Sequence, residues 1–398
     1  MGDKEPNNAI KKQVIEQQSY LFDDLITEEI LTRLPIKSIL QCKSVSKHWY
    51  STLSSSKFAN AHVKKSPFSH LSAPVNTLFI KNRKNYYLFS YDDDDDDDDD
   101  EISGSFEDNL VKLEVFGVEN EDNLKLIGCC NGLICLAPVS CEYFILWNPA
   151  TRKVHKYDSD GYLERFKMPF CPFVISGFGY ASSIDDYKYV RILNMFWGDE
   201  IHGRGIIAVH VFSLREKRWR KIDFDIDIYV FYGDGQGILI NETLYWASCC
   251  FKCGDVIVSF DLGTEKFAIF RYPSSEFFML GALGECLCKF VCDGSMDILK
   301  PPTIITSVSL PEDLSLDWSS EMIGYTRTGK IFVTGRFSKS HDELQDGPID
   351  RSRILALVDS DTESTKYTML LRFEESINIA RYFPSLVSPF PIYRGGYV

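Results

Sequence analysis

The stretch IGCCNGLICLAPVSCEYFILWNPATRKVHKY, residues 127–157, decides the fold. It reads as an apolar strand, a tight Asn131-Gly132 turn and a second apolar strand. A further pair of strands then follows around Asn148 to Lys153. The first half recurs as NTLFIKNRKNYYLFSY around Leu88, SGFGYASSIDDYKYVRIL around Tyr189 and ILINETLYWAS around Leu244. It returns as LGALGECLCKFV around Leu287 and MIGYTRTGKIFVTG around Ile331. From Leu88 through Leu133 to Ile331 the spacings are 45, 56, 55, 43 and 44 residues. The second half recurs as VHVFSLREKRWRKI, VIVSFDLGTEKFAIF and ILALVDSDTESTKYTML, with a looser copy expected near Leu310 in TSVSLPEDLSLDW. An inner and an outer hairpin at a period of about 45–55 residues is the signature of a β-propeller blade, and six copies predict six blades. A closed ring further requires a strand after residue 365 to pair near the first blade, since an open ring leaves a sheet edge bare. A two-sheet sandwich with coincidental spacing is the alternative.

Outside this array, residues 20–66 read as helical. Asp23 or Asp24 can cap a first helix carrying Leu25, Ile26, Ile30, Leu31 and Leu34, which Pro35 ends. Ile36, Ile39 and Leu40 mark a second helix, and Val45, Trp49 and Leu53 a third. Three short helices make a marginal core, and their apolar residues exceed what so small a bundle hides, so some face a partner. The expected organisation is a disordered tail over 1–19, a small all-α segment over 20–66 and a large all-β domain over 75–398. Within the last, residues 92–101 form a solvated acidic loop.

The 398 residues carry a net charge of −14, and the run Asp92 to Asp100 with Glu101 supplies ten of the negatives. Residues 20–66 hold seven bases and four acids, while residues 102–398 hold 30 bases and 40 acids. An acidic body argues against nucleic-acid binding and suits a basic protein partner. Candidate acids, read as lying in turns, are Asp185-Asp186, Asp199-Glu200 and Asp342-Glu343. The polar N-terminus and the absence of an uninterrupted apolar stretch predict neither export nor a membrane span. The twelve cysteines then read as reduced thiols of a cytoplasmic or nuclear protein. Cys250-x-x-Cys253 is a lone pair without the second pair that zinc requires, so neither metal nor cofactor is expected. The seven histidines are scattered, Gly233 to Gly237 precedes no helical pattern, and no carboxylate pair stands out. A non-catalytic chain is therefore expected, with a propeller hydrolase as the enzymatic alternative.

Residues 21–58, LFDDLITEEILTRLPIKSILQCKSVSKHWYSTLSSSKF, resemble the F-box through Ile30, Leu31, Arg33, Leu34, Pro35, Lys37, Ser38, Val45, Ser46, Lys47 and Trp49. The body resembles the plant F-box-associated, kelch-like domain found in S-locus F-box proteins and many other receptors. That resemblance is carried by Cys130 to Leu136, Leu146 to Lys153, Gly177 to Tyr180, Asp186 to Lys188, Trp219-Arg220, Ser259 to Leu262 and Ser385 to Val387. It implies a substrate receptor of a Skp–cullin–F-box ubiquitin ligase. The helices would dock a Skp-type adaptor, through it a cullin and a RING subunit, and the β-domain would hold the protein target. The adaptor contacts it implies are Leu25, Ile30, Leu34, Pro35, Ile39, Leu40, Val45 and Trp49, some of them shared with the internal core, to which Leu31 and Leu53 are assigned. Two features depart from the family. Leu21-Phe22 stands where the family has Leu-Pro, and Thr27-Glu28-Glu29 contains one residue too many, enough to rotate an α-helix by about 100°. A protein-binding scaffold with a degenerate F-box is thus a further alternative.

Overall fold

A computed structural model describes residues 25–66, 73–92, 106–115, 124–162, 173–195, 206–223, 230–231, 235–250, 254–271, 278–291, 295–300, 303–309, 314–315, 321–337, 352–359, 366–374 and 377–390. The 1–19 tail, the acidic run beyond Asp92, and Cys253 lie outside these residues. Among them, no helix is long and apolar enough to cross a membrane.

The N-terminal segment has four short helical pieces rather than three. Over the described residues the first follows α-helical Leu25 with a π-turn, Ile26–Ile30, which runs into a 3₁₀ turn, Leu31–Arg33. Leu34, forced out of the helical region by Pro35, is extended at φ −78° and ψ 151°. Helix α1 (Ile36–Cys42) follows, then α2 (Lys47–Leu53), capped where the Ser46 hydroxyl accepts from the Trp49 amide at 3.1 Å. The unforeseen piece is α3 (Ser56–Lys65), capped in the same way by Ser55. Leu31, Ile36, Ile39, Leu53, Phe58 and Ala59 form the core between these pieces.

Six antiparallel sheets follow. The second blade is β4 (Leu124–Cys130), β5 (Leu133–Pro138), β6 (Tyr143–Asn148) and β7 (Lys153–Asp158). The third is β8 (Phe173–Ala181), β9 (Asp186–Met195), β10 (Ile206–Ser213) and β11 (Arg218–Ile222). In the fourth, β12 (Val230–Phe231) and β13 (Ile238–Ile240) both pair with β14 (Thr243–Cys250), which leads to β15 (Gly254–Asp261) and β16 (Phe267–Arg271). The fifth is β17 (Phe278–Leu283), β18 (Cys286–Val291), β19 (Ser295–Lys300) and β20 (Thr303–Ser309). Its outer pair thus ends at Lys300 and resumes at Thr303, upstream of the place expected near Leu310. In the sixth, β21 (Leu314–Ser315) and β22 (Glu321–Tyr325) pair with β23 (Ile331–Phe337), followed by β24 (Arg353–Asp359) and β25 (Lys366–Phe373). The first blade is built from both ends of the domain. Strand β26 (Ile377–Arg381) is its inner strand, paired with β1 (Thr77–Asn82), then β2 (Asn85–Ser90) and β3 (Leu110–Leu113). This is the closing strand the sequence called for, and the architecture is a six-bladed β-propeller.

Because side chains alternate across a strand, each blade buries both faces against its neighbours. Six apolar clusters fill the six gaps. Phe79 and Trp147 lie between the first and second blades, and Val190 and Leu244 between the third and fourth. Leu78 and Phe332 close the ring between the last and the first. Glycines on inner strands let neighbours approach: a Cβ on Gly177 would lie 2.7 Å from Leu244 Cδ1. Two buried cations on β9, three residues apart, point to opposite faces. Lys188 meets Glu265 of the fourth blade at 2.6 Å, with Arg220 on the same carboxylate. Arg191 meets Asp160, beyond β7, at 2.6 Å, and Asp160 also accepts from His210. Burial pushes the Asp160 carboxyl up, but the His210 hydrogen bond and the Arg191 charge outweigh it and hold the group well below the ordinary carboxylate range.

Candidate functional site

The helical segment carries five of the nine large apolar side chains that stand exposed among the described residues. They are Leu25, Ile30, Leu40, Val45 and Tyr50, with Val45 at 64 % and Tyr50 at 62 %. So many exposed apolar side chains on so small a segment make it a candidate interaction surface. Of the residues named from the sequence, Leu25, Ile30, Pro35, Leu40 and Val45 are exposed. Leu34 and Trp49 are half-buried and pack against the core as well. Ile39 is different: at 0 % exposure it is an internal core residue and leaves the contact set. Tyr50 was missed; it follows Trp49 on α2 but faces outward. Leu21 and Phe22 lie outside the described residues.

The segment does not stand apart from the propeller. The apolar cluster around Leu31, Ile39 and Leu53 continues into Leu133, Phe144 and Tyr157 of the second blade and into Leu386 and Val387 beyond β26. Lys43, at the end of α1, sits near Lys153, and burial together with that charge lowers its pKa. The 382–390 segment is strapped across the second blade. Asn148 donates through Nδ2 to the carbonyls of Ser385 at 3.0 Å and Val387 at 2.7 Å, and Tyr157 donates to Pro389 O at 2.6 Å. Ser385 donates to Asn131 O. Gly132, at φ +74°, lies so close beneath that a Cβ would meet Ser385 Oγ at 2.5 Å. Asn148 also closes its own turn by accepting from the Thr151 amide at 3.1 Å, and its full burial and the two carbonyls give it this second role.

A cavity of about 350 Å³ occupies the axis, lined by inner-strand residues of all six blades. Three carboxylates, Glu242, Glu285 and Glu321, line it with one guanidinium, Arg381, and with Asn131 and Gln236 between them. Asn241 and Glu242, the two-residue turn between β13 and β14, both have positive φ, 46° and 65°. Cys130 also lines the cavity, and burial pushes its thiol up to about 12, so it stays protonated at neutral pH.

The acids named from turns fare unevenly. Asp185 is exposed and accepts from Tyr180 at 2.6 Å. Asp186 is buried at 4 % and holds Ser213 at 2.6 Å and the Arg215 amide at 2.8 Å, so it is a structural anchor and not a rim charge. Asp199, Glu200, Asp342 and Glu343 lie outside the described residues. Trp147 and Trp246 are buried between blades, and half-buried Trp219 donates to Asp158 O at 2.9 Å.

Comparison with known proteins agrees with this layout. Residues 76–287 match the family model of the F-box associated beta propeller domain, and residues 21–60 match that of the F-box domain. An F-box/kelch-repeat protein of Arabidopsis thaliana is 30 % identical over 242 residues, 60 % of this chain and 62 % of the relative. The F-box protein CPR1 of the same plant is 28 % identical over 284 residues, 66 % of this chain and 64 % of CPR1. A putative F-box protein, also from Arabidopsis thaliana, is 22 % identical over 408 residues, covering 92 % of this chain and 94 % of its own. The chain thus spans a little under two thirds of the first two relatives. Among solved structures, the WD40 domain of SCAP from fission yeast aligns with 78 % of this chain and 75 % of its own at TM-score 0.36 and 12 % identity, too loose a likeness to carry weight.

Proposed function

From the premise that this chain belongs to the F-box proteins with an F-box associated beta propeller, we propose that it is the substrate receptor of a Skp–cullin–F-box ubiquitin ligase. The observation that carries this reading is the concentration of exposed apolar side chains on the helical segment, Leu25, Ile30, Leu40, Val45 and Tyr50. That face would bury against a Skp-type adaptor, and a cullin with its RING subunit would follow through the adaptor. The propeller would hold a protein target, and the chain itself would form no covalent bond. Its contribution is proximity: a target lysine held near a charged ubiquitin carrier reacts as if intramolecular. The apolar cluster shared by helices and second blade supports this role, because a stiff link keeps that lysine in range.

For the target we propose a protein presenting a basic segment. The support is the acidic balance of residues 102–398, 40 acids against 30 bases, and the three glutamates around the axial cavity. Such a field speeds association and rejects acidic competitors. The test compares proteins captured by the native chain and by full-length Val45→Glu, which leaves the propeller untouched. Targets should accumulate on the variant, and become ubiquitinated only with the native chain. Identical captures that carry no ubiquitin in either case would refute the receptor role.

A further inference from the structure

We infer that the π-turn Ile26–Ile30 sets the register of the adaptor-binding face, with Lys65 of α3 as its positioning residue; this deepens the receptor reading above and rests on it. In an α-helix, residues five apart stand about 140° around the axis from each other. Leu25 and Ile30 are five apart, yet both are exposed, at 58 % and 53 %. The reason is the hydrogen bond from the Leu31 amide to Ile26 O, five residues back. A turn closed in this way spends five residues where an α-turn spends four, so Leu25 and Ile30 stand to one another as i, i+4 neighbours do. The extra residue in Thr27-Glu28-Glu29 is absorbed, and the outward face stays continuous.

The widened turn must be held, because it displaces Glu28 O from its ordinary α-helical partner, the amide four residues on. That carbonyl accepts instead from Thr32 Oγ1 at 2.6 Å and from Lys65 Nζ at 2.7 Å. Lys65 donates also to Glu29 Oε1 at 2.9 Å, and Lys57 to Glu28 Oε1 at 3.3 Å. Helix α3 therefore grips both glutamates of the turn, and Lys65 also holds its backbone through the Glu28 carbonyl. Without that grip the turn relaxes to the commoner α form, and Leu25 swings about 100° away from Ile30.

The test titrates the full chain with a purified Skp-type adaptor. Lys65→Met keeps the aliphatic stem and removes the ammonium; adaptor affinity should fall about tenfold, the order expected when one leucine leaves an apolar contact. Deleting Glu29 in that background brings Leu25 and Ile30 to true i, i+4 spacing, and affinity should return to near the native value. Native-like binding by Lys65→Met, or failure of the deletion to rescue, would overturn the inference. The register is also read without adaptor. The NMR coupling across the Leu31 amide hydrogen bond should report Ile26 carbonyl in the native chain and Thr27 carbonyl in Lys65→Met. A native coupling to Thr27 would refute the register claim by itself, whereas a native chain that shows the Ile26 coupling but captures no adaptor would defeat only the receptor reading.

Discussion

His62 ties two segments of the helical domain with one ring. Its Nε2 donates to Leu34 O at 2.9 Å, the carbonyl that Pro35 leaves outside any helix, while Nδ1 is buried with no hydrogen-bond partner among the described residues. Burial lowers its pKa below the ordinary 6.5, and the Leu34 bond offsets that only in part. Above 6.5 the ring is neutral in both folded and unfolded chains and contributes no slope. As pH falls below 6.5 the unfolded chain takes up the proton first, so stability declines through that window. Thermal melts from pH 7.5 to 5.5 should therefore show the helical domain weakening with acid. In His62→Gln, whose amide can still donate to Leu34 O, that component should vanish; an unchanged slope would reject the assignment. Nothing in the sequence marked His62, since a lone histidine on a helix gives no sign of a carbonyl twenty-eight positions earlier. Asn148 and Asp186 were hidden in the same way: turn chemistry explains Asn and Asp locally, and only tertiary packing shows what else they bind.

At the scale of elements, the repeat was legible because each blade needs the same two hairpins. The turns at Asn131-Gly132, Asn241-Glu242 and Gly284 fall where the pattern placed inner hairpins. Two elements were misphased for identifiable reasons. The unit around Leu88 is the middle pair of its blade, because the inner strand comes from β26, about 300 residues later in the chain. The outer pair of the fifth blade is β19 and β20, ending at Lys300 and resuming at Thr303, and the Pro-Pro in the sequence between them hides the strand signal. The first helix was misread because apolar spacing cannot tell a π-turn from an α-turn. Strand β26 and the 382–390 strap give a direct test of closure. A chain ending at residue 374 leaves the β1 edge bare and removes the carbonyls that Asn148 binds. It should be insoluble or unfold without cooperativity; a soluble, cooperative truncate would contradict the closed ring.

At the scale of the whole molecule, two surfaces of different character share one continuous core. The helical segment exposes apolar side chains, the propeller axis carries three glutamates in a mixed lining, and the cluster from Leu31 to Val387 joins the helices to the second blade. Family, architecture and domain order were readable from the chain itself. Which of the helices' apolar residues are exposed was readable in part: Ile39 belonged to the core and Tyr50 to the surface, a distinction that depends on how α1 and α2 are rotated. The central claim is that this apolar face binds a Skp-type adaptor, and calorimetric titration of the full-length chain with purified adaptor tests it most directly. The native chain should bind saturably. Val45→Glu and Ile30→Glu, which place a charge on exposed sites without disturbing the core, should each weaken binding at least about tenfold, or about 1.4 kcal/mol. A native chain that does not bind, or variants that bind as the native chain does, would contradict it.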